Sequence, residues 1–184
     1  MTSTTMRYTG TAIFLHWLMA LAIIAAFGMG ITMTDIPGIT PTKLRLFNWH
    51  KWLGVTILGL ATIRLLWRLS HPAPALPESL PQWQKKAAEL THYTLYFLIF
   101  AIPLSGYFYS LAAGFPVVYL GIVPLPILME PNPELKISLK NLHYWLNMGL
   151  ALLVLAHIGA ALKHHFLDRD NVLTRMLPRF GSKQ

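Results

Sequence analysis

The sequence predicts an all-α membrane protein, a bundle of four transmembrane helices, and three observations carry that prediction. First, 54% of the 184 residues are hydrophobic and 12% are charged, where ordinary soluble domains carry roughly a quarter charged residues. Second, mean hydropathy is +0.48, and so few charges could not cover a water-facing surface of this size. Third, the apolar residues fall into four runs of about the length a helix needs to cross the hydrocarbon layer, roughly 20 residues. Four such spans with their loops fill residues 1–184 as a single domain.

The first run, 12–33, is interrupted by His16 and small residues. It lacks the short apolar core and small-residue cleavage site of a signal peptide, so it reads as a retained span. Asp35-Ile-Pro-Gly-Ile-Thr-Pro then reads as a turn-rich loop. The second run, 48–69, ends in Arg64-Leu-Leu-Trp-Arg68, and the prolines of His71-Pro-Ala-Pro-Ala-Leu-Pro stop it and predict an extended linker. Gln82 to Leu90 is a polar lead-in to the third run, 91–111, where Pro103 predicts a kink that bilayer helices tolerate. Residues 115–129 are apolar again but contain three prolines and Gly121, which predicts a loop lying on or dipping into the membrane surface. The fourth run is 141–162, stopped by Lys163-His-His-Phe and followed by a polar tail.

The net charge of +8 would suggest nucleic acid in a soluble protein. Here the positive residues cluster at span ends, so topology explains them and no nucleic-acid partner is expected. With the N-terminus inside, the inner group is Arg7, Arg64, Arg68, Lys85, Lys86, Lys163, Arg169, Arg175, Arg179 and Lys183. The outer group is the smaller set Lys43, Arg45, Lys51, Lys136 and Lys140. The bias predicts both termini in the cytoplasm.

There is no cysteine, which excludes disulfides, thiolate-bound iron–sulfur clusters and covalently attached c-type haem. Histidine is the remaining good nitrogen ligand, and there are eight. Ionisable residues inside spans are rare and usually functional; His16, His50, His92, His143 and His157 are such residues. Counting along the runs puts His50 and His143 near the outer face and His16 and His157 in the inner half. His143 and His157 are 14 residues apart, about 21 Å along a helix axis and within about 40° of the same face. One helix thus offers an imidazole near each side of the bilayer, and the other helices offer a partner at each depth.

Low-spin haem takes two axial ligands on opposite sides of a flat ring, and facing helices supply them. The pairs His50/His143 and His16/His157 therefore predict two haems b stacked across the membrane. Gly54, Gly59, Gly149, Ala151, Gly159 and Ala160 would let a macrocycle approach, and Arg64, Arg68, Lys51 and Lys140 would pair with its propionates. A single intramembrane histidine is about as often a hydrogen-bonding partner between helices; two depth-matched pairs weigh against that reading. Zinc would want clustered tetrahedral ligands, often with cysteine or carboxylate, which the spans do not offer. His92 has no evident partner at its depth, which favours a structural or pocket role over ligation. His164 and His165 are interfacial or handle protons near a quinone, and His71 reads as surface.

Phe14-Leu-His16-Trp-Leu, Asn48-Trp-His50-Lys-Trp-Leu-Gly54, Ile63-Arg64-Leu-Leu-Trp-Arg68, Leu155-Ala-His157 with Lys163-His164-His165-Phe166, and the tail Asp170-Asn-Val-Leu-Thr-Arg-Met-Leu-Pro178 resemble the bacterial cytochrome b561 family, in order and over nearly the whole chain. The resemblance implies a multi-pass inner-membrane protein with two b haems, moving electrons between a quinone, ubiquinone, and a second partner such as a soluble or periplasmic donor. It implies the same ligand pairs. One branch of the family, superoxide oxidase, takes electrons from superoxide at the periplasmic face and reduces ubiquinone. Two alternatives keep the fold: a haem-bearing anchor subunit serving a separate dehydrogenase or hydrogenase, and a haem-free transporter or structural protein, which would be supported by internal repeats that the sequence does not show.

Overall fold

The computed structural model describes residues 7–78 and 80–178. Four helices dominate it: α1 (Gly10–Asp35), α2 (Pro41–Ser70), α3 (Gln82–Ala112) and α4 (Pro133–Phe166). All four are long and apolar enough to cross a membrane. Each contains its predicted apolar run, and α2, α3 and α4 begin seven to nine residues earlier than those runs. The reason is local. Thr40 and Asn132 cap α2 and α4, each accepting a hydrogen bond from a backbone N–H three residues on, and Pro41 and Pro133 follow them in the first turn. Polar turns beyond the hydrocarbon layer satisfy their backbone inside the helix as well as apolar ones do, so the helix outruns the hydrophobic signal. The lead-in 82–90 is accordingly helical.

α3 runs through Pro103, which has no N–H to give the carbonyl of Ile99. The chain leaves α3 at Gly114, whose φ of +80° suits glycine.

The helices pack as a series, α1 on α2, α2 on α3 and α3 on α4, while α4 makes at most marginal backbone contact with α1 or α2. The core lies at the α3/α4 seam, where Leu98, Ile102 and Leu150 are buried with Ile23, Leu95, Leu146, Leu153 and Val154 around them. Many other large apolar side chains face outward, Leu21, Ile24, Ile63, Leu152 and Leu155 among them, as lipid-facing residues do. The fold is the all-α transmembrane four-helix bundle the sequence predicts.

Both ends of the described chain meet at one end of the bundle. Arg7 donates to the Leu177 carbonyl (2.8 Å), the Trp17 indole to Met176 (2.9 Å), and Arg175 to Ala75 in the linker after α2 (2.6 Å). Arg179 and Lys183 lie outside the described residues. The opposite end carries the largest departure from the sequence reading. Within the expected loop 115–129, Val118–Tyr119 and Val123–Pro124 pair antiparallel as a β-hairpin, β1 and β2.

Candidate functional site

α4 presents His143 and His157 toward the space left between itself and α1 and α2. Near the hairpin end, the rings of His143 and of His50 on α2 have centroids 6.2 Å apart, with their planes at 85°. Near the terminal end, His157 faces His16 of α1 with centroids 6.3 Å apart and planes at 60°. Each pair joins α4 to a helix on which its backbone does not pack.

The ring orientations of the hairpin-end pair are held from behind. His50 Nδ1 lies 3.0 Å from the carbonyl of Ala26. His143 Nδ1 lies 3.1 Å from the Ile102 carbonyl and 3.0 Å from Ser105 Oγ, and that hydroxyl itself donates to Ile102. A carbonyl can only accept, so each Nδ1 carries the proton and each Nε2 keeps its lone pair, as metal-binding imidazoles require.

Glycines make room for these rings. A Cβ built on Gly106 of α3 would meet His143 Cε1 at 2.9 Å and Nδ1 at 3.2 Å, and one on Gly30 of α1 would meet His50 Cε1 at 3.5 Å. Gly106, Gly30, Ser105 and the carbonyls of Ala26 and Ile102 escape the sequence reading. The only hint was small residues in otherwise apolar helices, and that hint does not say which helix faces which ring. Gly54, Gly59, Gly149 and Gly159 instead have no foreign atom within 4 Å of a built Cβ. Gly54 borders open space, since with His50, His143, Lys51 and Asn147 it lines a cavity of about 980 Å³. That is ample for a large flat ligand.

At the terminal end, Arg64 donates to the Ala12 carbonyl (2.8 Å) and lies 3.5 Å from His16 Nδ1. Arg68 sits over the Tyr96 ring, 5.9 Å from its centre. Lys51 donates to Ser110 (3.3 Å), and Lys140 is exposed. The reading of His92 as isolated at its depth is corrected: its ring is 5.7 Å from that of His157, because α3 packs directly on α4. His71 is exposed and stacks on Trp67, centroids 4.0 Å apart. His164 contacts Asp170 (2.8 Å) and Asp168 (3.1 Å), and Lys163 pairs with Asp168 at 2.6 Å. The hydrogen bond from Lys163 holds the Asp168 carboxyl below its ordinary range.

The prokaryotic cytochrome b561 family profile matches residues 7–179. The chain belongs to the prokaryotic cytochrome b561 family. It is similar to cytochrome b561 homolog 2 of Escherichia coli K12, with 33% identity over 98% of this chain and 96% of the relative, and to homolog 1 of the same organism, with 34% identity over 94% and 98%. A Yersinia pestis protein described as a probable superoxide oxidase is 29% identical over 94% of this chain and 97% of its own length. Family and fold together make this a multi-pass bacterial inner-membrane protein, embedded in lipid, of a class that implies haem b.

The residues present fit that group. Two imidazoles sharing one metal ion at about 2 Å from each nitrogen, with about 1.1 Å more from nitrogen to ring centre, would have ring centres roughly 6.2 Å apart. Both observed separations agree with this figure. The gap beside α4, the free Nε2 atoms of His50 and His143 and the Gly106 cradle supply the remaining requirements at the hairpin end.

Proposed function

We propose that this chain is a single-domain, di-haem b-type cytochrome that transfers electrons between a donor on the hairpin side of the membrane and the ubiquinone pool. In this reading His50 and His143 hold one haem and His16 and His157 the other. When bound, each haem supplies a one-electron carrier; the protein supplies ligands, orientation and exclusion of water. The observation that carries the reading is the recurrence, at two levels of α4, of a histidine facing one from another helix at the separation two imidazoles sharing one metal ion would have.

The roles of the other residues follow from where they lie. Ala26, Ile102 and Ser105 fix the tautomer and plane of the hairpin-end rings. Gly30 and Gly106 let those rings stand against the helix backbone. Arg64 and Arg68 at the terminal end, and Lys51 and Lys140 at the other, would neutralise the carboxylate charge of a bound haem. His92 stands beside His157 at the terminal end, ring centroids 5.7 Å apart. It is offered with His164 and His165 as the polar surroundings of the quinone. The excess of Lys and Arg at the terminal end supports both termini being cytoplasmic, which puts the hairpin and the donor side in the periplasm. Superoxide is the donor to test first, because the Yersinia relative carries that description. Arg45, Lys51, Lys136 and Lys140 offer an anion positive charge at that end.

The experiment is an air-oxidised and a dithionite-reduced visible spectrum of the detergent-purified chain, with a haem-to-protein ratio. Two haems per chain with sharp reduced b-type bands are expected. Superoxide is then expected to reduce them and oxidised quinone to reoxidise them. A folded, colourless preparation overturns the proposal.

A further inference from the structure

The hairpin between α3 and α4 is uncharged, apolar and outward-facing. Leu90 to Met129 contains no Asp, Glu, Lys or Arg. The part of that run in α3, Leu90 to Ala112, is about 34 Å long, enough by itself to cross a hydrocarbon layer of about 30 Å. The uncharged chain then continues for another 17 residues.

Those residues turn back along α2. The Trp52 indole donates to the Val118 carbonyl (2.7 Å), and the Tyr119 hydroxyl bonds Thr56 (2.9 Å). Trp52 and Thr56 lie one and five residues beyond Lys51, in the stretch of α2 that holds no charge before Arg64. Thr56 is thus about 7.5 Å deeper along the axis than the last lysine.

Non-helical backbone survives at such a depth only if its polar groups are paired. Gly121 and Ile122 donate to Val118 and Tyr119, and Leu125 donates to Val117. Leu120, Ile122, Val123 and Ile127 are exposed and line no part of the His50/His143 cavity, Ile122 with 78% of its surface exposed. On the inner side, Val117 is 3% exposed, and it lines the His50/His143 cavity together with Leu125. In water, a patch of this kind is a liability for a monomer; against acyl chains it is ordinary lipid-facing surface, continuous with that of the helices.

We infer that residues 115–128 form a re-entrant membrane hairpin whose outer face contacts lipid acyl chains and whose inner face walls the His50/His143 cavity off from them. This rests on the membrane fold and not on the haem assignment. The chain has no native cysteine, so single sites can be spin-labelled directly. Ile122→Cys, Ile127→Cys and, as the aqueous reference, Glu134→Cys are labelled with a nitroxide in phosphatidylcholine vesicles. Collision with oxygen, which concentrates in lipid, is compared with collision with a water-soluble nickel chelate. The oxygen-to-nickel ratio is expected to be several-fold higher at 122 and 127 than at 134. An equal ratio places the hairpin in water and overturns the inference. Protection from both reagents means that protein, such as a second copy of the chain, covers the hairpin, and overturns it too. Adding Trp52→Phe and Thr56→Val to the Ile122→Cys chain is expected to lower the ratio; an unchanged ratio refutes the anchoring against α2. The readout does not depend on haem content, so it separates failure of this inference from failure of the proposed function.

Discussion

Gly106→Ala tests the hairpin-end site through one methyl group. The added Cβ would sit 2.9 Å from His143 Cε1 and 3.2 Å from Nδ1, where carbon contacts are comfortable at about 3.5–4.0 Å. Relief therefore needs the ring or the helix to move by roughly 0.5–1 Å. The ring is not free to yield, because its Nδ1 is held at 3.1 Å from Ile102 and 3.0 Å from Ser105, both on the helix that carries the new methyl. Overpacking of this kind typically costs about 1–3 kcal/mol. At about 1.4 kcal/mol per factor of ten, haem affinity at this site falls by about 5- to 150-fold. The assay is the haem-to-protein ratio and reduced spectrum of purified Gly106→Ala beside Gly149→Ala, a glycine that the structure places on an exposed face of α4 outside the cavity lining, where a built Cβ meets nothing within 4 Å. Gly149→Ala is expected to keep two haems, and Gly106→Ala to approach one, or to keep two with a shifted midpoint potential for one of them. A Gly106→Ala protein with both haems at unchanged potentials refutes the geometry.

Single alanine substitutions should fall into two classes: His50→Ala and His143→Ala lose the same haem, and His16→Ala and His157→Ala the other, with reduced spectra telling the classes apart. Loss of both haems from every variant, or of a different one from each member of a pair, breaks the pairing. Ser105→Ala removes a hydrogen-bond partner from His143 but leaves the Ile102 carbonyl, so the haem is expected to stay while its midpoint potential shifts by some tens of millivolts in a redox titration; an unchanged potential means that the hydroxyl does not tune the ligand. Arg64→Leu removes the guanidinium bond between α2 and the Ala12 carbonyl. A loss of about 1.5–3 kcal/mol is expected for a charged hydrogen bond, read as a lower thermal midpoint of the detergent-solubilised protein, with Arg64→Lys partly restoring it. The Asp168 carboxyl is held below its ordinary value of 3.8 by Lys163, so its contribution to tail docking is present above that pH and fades as pH falls through the lower folded value. Proteolytic release of the tail should therefore be the same at pH 8 and pH 6 and rise only in strong acid; a rise already at pH 6 would show that another group controls it.

How much of this was legible in advance depended on distance along the chain. A membrane span writes itself into local composition, because every residue of the run meets the same solvent; the four helices could therefore be read directly from 12–33, 48–69, 91–111 and 141–162. The 14-residue interval from His143 to His157 was legible for a similar reason, since rise and rotation per residue are properties of any α-helix. Helix starts at Pro41, Gln82 and Pro133 were not, because hydropathy reports where lipid begins and says nothing of where backbone hydrogen bonding begins. The isolation assigned to His92 failed because depth alone does not give azimuth, and α3 turns out to lie directly against α4.

By itself, then, the sequence determined the number of spans, the spacing of the histidines along each helix, and the absence of any thiol ligand, all of which are one-dimensional properties of a chain in a layered solvent. Only the tertiary structure decided that α4 stands off from α1 and α2, that Gly106 and Gly30 are the glycines that touch the rings, and that residues 115–128 fold back on Trp52 and Thr56. Each of these is a meeting of segments tens of residues apart, set by which helix faces pack, and the periodicity of one helix holds no information about the rotation of its neighbour.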